Sequence, residues 1–242
     1  MIIASTNRTV DIIAGKMTFG TQLTVNYNNL IANQDIFRGF TNSVKYSVLQ
    51  TVVSVLICSL AGYGFEVYHD KVKDTLMAII LMSMMIPFVA LMIPLFRMFS
   101  KVGLLNSTLG FILPSLSTPF LIMLFRSAAR SFPSEMIEAA RIDGLSEFMI
   151  FFKMFIPTMR STFAAAITVT FMNAWNNYIW PKVIMQDQKA QTLPMMISNL
   201  TSGYFTDYGA LMLAVLITTL PTAVLFLSLQ KNFAEGITGT VK

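Results

Sequence analysis

The stretch EAARIDGLSEFMIFFKMFIP, Glu138–Pro157, carries Glu138, Arg141, Asp143, Glu147 and Lys153 within sixteen residues. The chain around it has 242 residues, 55% hydrophobic and only 12% charged. Within this stretch the residues read as two short helices about a turn. Ser134 is placed to cap the first, and Glu135 and Glu138 fall early in it, where the helix macrodipole favours acid. Ala139 and Ala140 keep its surface flat, and Gly144 gives the backbone freedom to turn. Ser146 is placed to cap the second helix, whose Phe148, Met149, Phe151, Phe152 and Phe155 suit burial. Pro157 marks the start of the next apolar run. A small, rigid, charged helix held between apolar runs suits docking in the cleft of another protein and passing that protein's motion on.

The flanking runs set the class. A mean hydropathy of +0.64 is too apolar for an ordinary soluble domain. Five stretches approach the roughly 20 residues a helix needs to cross about 30 Å of hydrocarbon. They are Val44–Phe65, Leu76–Phe99, Leu109–Phe125, Met159–Trp180 and Tyr208–Leu229. Strands of a membrane barrel would alternate apolar and polar residues, and these runs are continuous, so the expected class is an all-α polytopic transmembrane bundle. Residues 1–43 are read as an extracytoplasmic N-terminal segment, 44–230 as the membrane domain with a coupling loop at 132–157, and 231–242 as a C-terminal tail.

Orientation rests on lysine and arginine placement. One side carries Lys71, Lys73, Arg126, Arg130, Arg141, Lys153, Arg160, Lys231 and Lys242. The other carries Arg8, Lys16, Arg38, Lys45, Arg97, Lys101, Lys182 and Lys189. Nine against eight is nearly even, but the first group sits in fewer loop residues, which puts that side and the C-terminus in the cytoplasm. The opening MIIASTNRTVDIIAG is too short to span and has no basic region ahead of its apolar start. With the N-terminus outside, MIIAST is expected to be the last turn of an earlier, sixth helix.

Ser47, Thr51, Ser54, Cys58 and Gly62 fall on one face of the first run, and small residues let membrane helices approach closely. Pro87, Pro94, Pro114, Pro119 and Pro221 lie inside runs as kinks, hinges or tolerated irregularities. Ionisable residues are nearly absent from the run centres, which speaks against proton or ion coupling. FMNAWNNYIWP, Phe171–Pro181, is the most polar membrane stretch. Asn173, Trp175, Asn176, Asn177 and Tyr178 fit a substrate pathway for a polyhydroxylated ligand, through amide hydrogen bonds and ring stacking. An aromatic belt at the interface explains the same residues. There is no phosphate-binding glycine loop, no metal-ligand cluster, and one histidine, His69, without a nucleophile beside it. The chain therefore reads as a non-enzyme, and any ATP is bound elsewhere.

Glu138, Ala139 and Ala140, then Gly144, then Ile156 and Pro157 together resemble the EAA loop of bacterial ABC-importer permeases. Met154 departs mildly from the usual isoleucine, and Asp143 before the glycine resembles the carbohydrate subgroup. AWNNYIWP, TLPMMISNL and LQKNFAEGITGTVK resemble the maltose-type subunit that ends in a short tail. The resemblance covers about residues 20–242 and implies the type I permease fold. It implies a sister permease subunit, a cytoplasmic ATPase dimer that carries ATP and Mg, an extracytoplasmic sugar-binding protein, and residence in the bacterial cell membrane. Glu138, Ala139, Ala140, Asp143, Gly144 and Pro157 would couple to the ATPase, and Glu235, Gly236 and Lys242 of the tail would contact it. Rival expectations are a secondary carrier or channel for an uncharged solute, and a truncated, non-functional permease.

Overall fold

Proline decides which of the five apolar runs stay whole. The computed structural model of the protein describes the backbone of residues 1–238 and the side chains of residues 1–230. Those residues form helices and turns with no strand among them. After a short helix at Thr9–Ile13 come α1 (Leu23–Asn33) and α2 (Ile36–Val67). The first expected span is the interior of α2, which has no proline and runs unbroken. The second run is divided into α3 (Lys71–Met82) and α4 (Phe88–Lys101), bent by 96° with respect to each other. Ile86, the residue before Pro87, is extended at ψ 116, as the proline ring demands of its predecessor. The expected span at Leu76–Phe99 is thus a bent pair of helices, broken at Pro87, one of the positions read as a kink or hinge.

The third run behaves the same way. Here α5 (Thr108–Ile112) and a tight turn at Leu113–Ser115 precede α6 (Pro119–Arg130), with a 54° bend. Thr118 is extended, and Pro119 starts α6 at the helical position where a missing N–H costs nothing. Next come α7 (Ser134–Ile142), α8 (Glu147–Ile150), a π turn at Phe151–Phe155 and a single turn at Ile156–Thr158. The chain then turns through 85° into α9 (Arg160–Trp175). It continues through α10 (Ile179–Ile184) and α11 (Leu193–Leu200) to α12 (Tyr208–Thr238). The expected fourth span, Met159–Trp180, thus ends at Trp175. By length and composition α2 and the Tyr208–Gln230 part of α12 are apolar enough to cross a membrane, and five segments are if each bent pair counts as one. Pro94 and Pro221 lie inside α4 and α12 without a break. The Trp175 indole N–H donates to the Thr218 carbonyl at 3.0 Å, one residue beyond the Ile217 carbonyl that Pro221 deprives of its helical donor.

Two compact units divide the chain. One consists of Met1–Ser47, Met98–Phe111 and Asn173–Leu227. Its polar core centres on Asn26, whose amide donates to the carbonyls of Ser5 and Asn7. Asp207 caps the start of α12 through the N–H groups of Gly209 and Ala210 and also accepts from Asn29. The other unit consists of Val48–Arg97, Ile112–Met172 and the described residues from Ser228 onward. Its core contains Tyr63, Phe125, Phe132, Phe151, Phe155 and Phe163. The small-residue face of α2 lies in close contact there. Ser54 Oγ donates to the Ser115 carbonyl at 3.3 Å and Cys58 Sγ to that of Leu116 at 3.6 Å. A Cβ added at Gly62 would sit 2.7 Å from the Ile122 carbonyl oxygen and the Arg126 nitrogen, so α2 meets α6 backbone to backbone.

Candidate functional site

The turn between α7 and α8 is built on Gly144. Its φ is +78°, the left-handed region that favours glycine. The Leu145 N–H reaches the Ala140 carbonyl at 3.0 Å and the Gly144 N–H that of Arg141 at 3.1 Å. These two bonds are the Schellman termination of a helix, which satisfies its last carbonyls. Leu145 then packs against the aromatic core. Ser146 caps α8 as expected, its Oγ accepting from the Met149 N–H. Ser134 does not cap α7. Pro133 occupies the capping position in an extended conformation, so Ser134 is already inside the helix, and no side-chain cap bond forms.

Two contacts fix the angle between the short helices. Arg141 meets Glu147 with both forks, Nε to Oε1 at 2.7 Å and Nη2 to Oε2 at 3.3 Å. With both side chains 42% exposed, such a pair is screened by solvent and serves geometry more than stability. Burial first, then the nearby Glu147 carboxylate, push the Tyr68 phenol above its ordinary pKa. Beneath α7 and α8, Tyr63 packs on Phe151 and Phe155 at 5.3 and 4.9 Å, and Phe132 lies edge-on to Phe155 at 5.6 Å. Each aromatic pair of this kind contributes about 0.5–1.5 kcal/mol beyond its burial. Phe151 and Phe155, four apart on one face, stack across the π turn with ring centroids 5.6 Å apart.

The apolar residues of the second helix therefore split between this chain's own core and its surface. Ile150, Phe151 and Phe155 are buried, whereas Phe148, Met149 and Phe152 are 69%, 48% and 50% exposed, and Ile142 beside them is 86% exposed. Glu138, Ala139, Asp143, Gly144 and Pro157 are also exposed, and Ala140 is buried beneath them. An apolar face ringed by charge and held on a rigid turn offers a partner a preformed surface. On its flank a cavity of about 330 Å³ is lined by Glu66, Arg130, Ser134, Glu138 and Arg141, among others.

The expected substrate-pathway residues are less uniform. Trp175 is 1% exposed, donates its indole N–H to Thr218, and lies edge-on to Phe40 at 5.9 Å. Its ring is taken up by protein contacts, so stacking on a ligand is not available to it in this conformation. Tyr178 shares a hydrogen bond with Ser198 at 2.9 Å. Asn173 and Asn176 are exposed and Asn177 is half-buried, the last two in the break between α9 and α10. In the tail, α12 carries the backbone of Glu235 and Gly236 to Thr238, through the glycine read as punctuation. Their side chains, and all of Lys242, lie outside the described residues.

An ion cluster escaped the sequence reading. Arg126, only 8% exposed, donates from Nε to Glu66 Oε2 at 3.0 Å and from Nη2 to Asp74 Oδ1 at 2.5 Å. Arg130, one turn further on, reaches Glu66 Oε1 at 3.1 Å. The signal was available in the spacing. Arg126 and Arg130 are four apart on one helix face, and carboxylates flank the short turn at residues 68–70.

Comparison with known proteins agrees with this architecture. Residues 54–239 match the family model described as binding-protein-dependent transport system inner membrane component. The chain is 43% identical over its whole length to the lactose transport system permease protein LacG of Rhizobium radiobacter, covering 89% of that protein. It is 35% identical to the arabinooligosaccharides transport system permease protein AraQ of Bacillus subtilis, over 90% of this chain and 78% of the relative. In fold it is similar to a chain of a bacterial ABC transporter involved in the import of the acidic polysaccharide alginate. The TM-score is 0.84 at 19% identity, covering 96% of this chain and 88% of the other. A chain of the MetNI methionine ABC transporter gives 0.64 at 15% identity, covering 82% and 94%. The chain belongs to the family of inner-membrane components of binding-protein-dependent transport systems.

Proposed function

We propose that this chain is the membrane subunit of an ATP-driven importer of sugars or oligosaccharides. Its exposed face at Ile142, Phe148, Met149 and Phe152 docks on a separate ATPase. The observation that carries the substrate class is the full-length 43% identity to a permease named for lactose, with a second relative named for arabinooligosaccharides. The coupling role is supported by the rigid Gly144 turn and its apolar face. ATP and Mg belong to the ATPase. A sister permease completes the pathway, and an extracytoplasmic binding protein delivers substrate. The loop and the C-terminus face the cytoplasm, and residues 1–43 lie outside. Asn173, Asn176, Asn177 and Tyr178 remain the candidate pathway residues. Glu235, Gly236 and Lys242 contact the ATPase dimer, so deleting Gly236–Lys242 lowers substrate-stimulated hydrolysis without loss of assembly.

The test is uptake by the complex reconstituted in lipid vesicles with its binding protein. Labelled lactose or an arabinooligosaccharide enters when ATP is supplied to the ATPase side, and entry stops when hydrolysis is blocked. Sugar entry that persists without any ATPase would refute the proposal.

A further inference from the structure

We infer that Arg126 is a positioning residue that locks the turn between α2 and α3 to α6, so that movement of the coupling loop reaches three helices as one body. The inference rests on the docking role proposed above. A single guanidinium holds Glu66, at the end of α2, and Asp74, in the first turn of α3, with its Nε and Nη2. Those carboxylates stand on either side of residues 68–70. Arg130 takes the second oxygen of Glu66, and His69 lies 2.9 Å from the second oxygen of Asp74. The carboxylates are thus engaged from two sides each.

The geometry makes the lock stiff. At Gly62, one turn before Glu66, α2 touches the backbone of α6, leaving no side-chain layer to shear between them. Four residues after Arg130 the coupling helix α7 begins. The turn is therefore tied through Arg126 to α6, the helix that leads into the coupling loop. A buried arginine held by two carboxylates is expensive to break, because removing one partner leaves charge without compensation. It therefore favours one arrangement of the three helices. Lysine cannot replace it, since an ammonium is a point charge without the planar fork that spans two carboxylates.

The experiment measures sugar imported per ATP hydrolysed by the reconstituted complex, alongside the amount of ATPase retained on the tagged chain. Arg126→Ala and Arg126→Lys should both retain the ATPase and hydrolyse ATP, with the import ratio lowered at least tenfold. Asp74→Asn changes a half-exposed side chain and will not prevent folding; it should lower the ratio several-fold. A wild-type ratio in Arg126→Lys or in Asp74→Asn would overturn the inference, whatever becomes of Arg126→Ala. Gly144→Val, tested in parallel, separates this outcome from failure of the docking role. If it leaves ATPase retention and uptake intact, the proposed function fails. If it abolishes them while the Arg126 and Asp74 variants behave as wild type, only the lock fails.

Discussion

At the scale of single residues, Gly144 matters for its backbone and not for the space it leaves. A Cβ there would meet nothing within 4 Å, so a side chain clashes with no part of this chain. The cost is the positive φ, about 1–2 kcal/mol for most L residues and least for asparagine. Gly144→Asn should therefore keep most ATP-driven uptake, and Gly144→Val should lose most of it with the chain still in the membrane. Equal loss in both would mean that the partner's surface, not the backbone, excludes a side chain. The glycine was legible in the sequence because turn, cap and motif spacing all pointed to it. Ser134 was misread because Pro133 takes the capping position, and a serine followed by acids at Glu135 and Glu138 does not reveal which residue leaves the helix. Arg126 was counted as a loop charge because hydropathy and charge tallies ignore side-chain partners.

At the scale of elements, α2 shows what small residues do. A Cβ at Gly62 would lie 2.7 Å from backbone atoms of α6, whereas one at Gly64 would meet nothing within 4 Å. Gly62→Ala should destabilise the protein by about 1–3 kcal/mol through overpacking. Gly64→Ala should be neutral or stabilise by up to about 1 kcal/mol through helix propensity. Thermal unfolding of the purified complex should separate the two, and equal melting temperatures would remove the tight α2–α6 contact. The small-residue spacing made this contact readable, since a helix face follows directly from a period of 3.6. The bends at Pro87 and Pro119 were not readable as breaks. An apolar run looks the same whether a proline interrupts it, as at Pro87, or is tolerated, as at Pro94. The π turn had no sequence signal, whereas the pairing of buried Phe151 with Phe155 and of exposed Phe148 with Phe152 follows the i,i+4 spacing of a helix face.

At the scale of the whole molecule, the all-α membrane class was legible, and so was the pair of short helices about the Gly144 turn. The charge tally is closer still once Arg126, neutralised inside an ion cluster, is left out, at eight against eight. A cysteine at Ser202 in a Cys58→Ala background should react with an impermeant reagent added outside, and one at Ser134 should not. Both positions are exposed and Cys58 is buried, so the reverse pattern would invert the proposed topology. The substrate residues were the least legible, because a tryptophan that stacks on sugar and one that packs in a core look identical in sequence. The central claim is that the exposed face of the Glu138–Pro157 loop carries the ATPase. It is tested most directly by the amount of ATPase that co-purifies with the tagged chain when Ile142 and Phe148 are both changed to Asp. The account predicts that the wild-type chain retains the ATPase and that the double variant loses at least nine-tenths of it while keeping the sister permease. Undiminished ATPase on the double variant would contradict it.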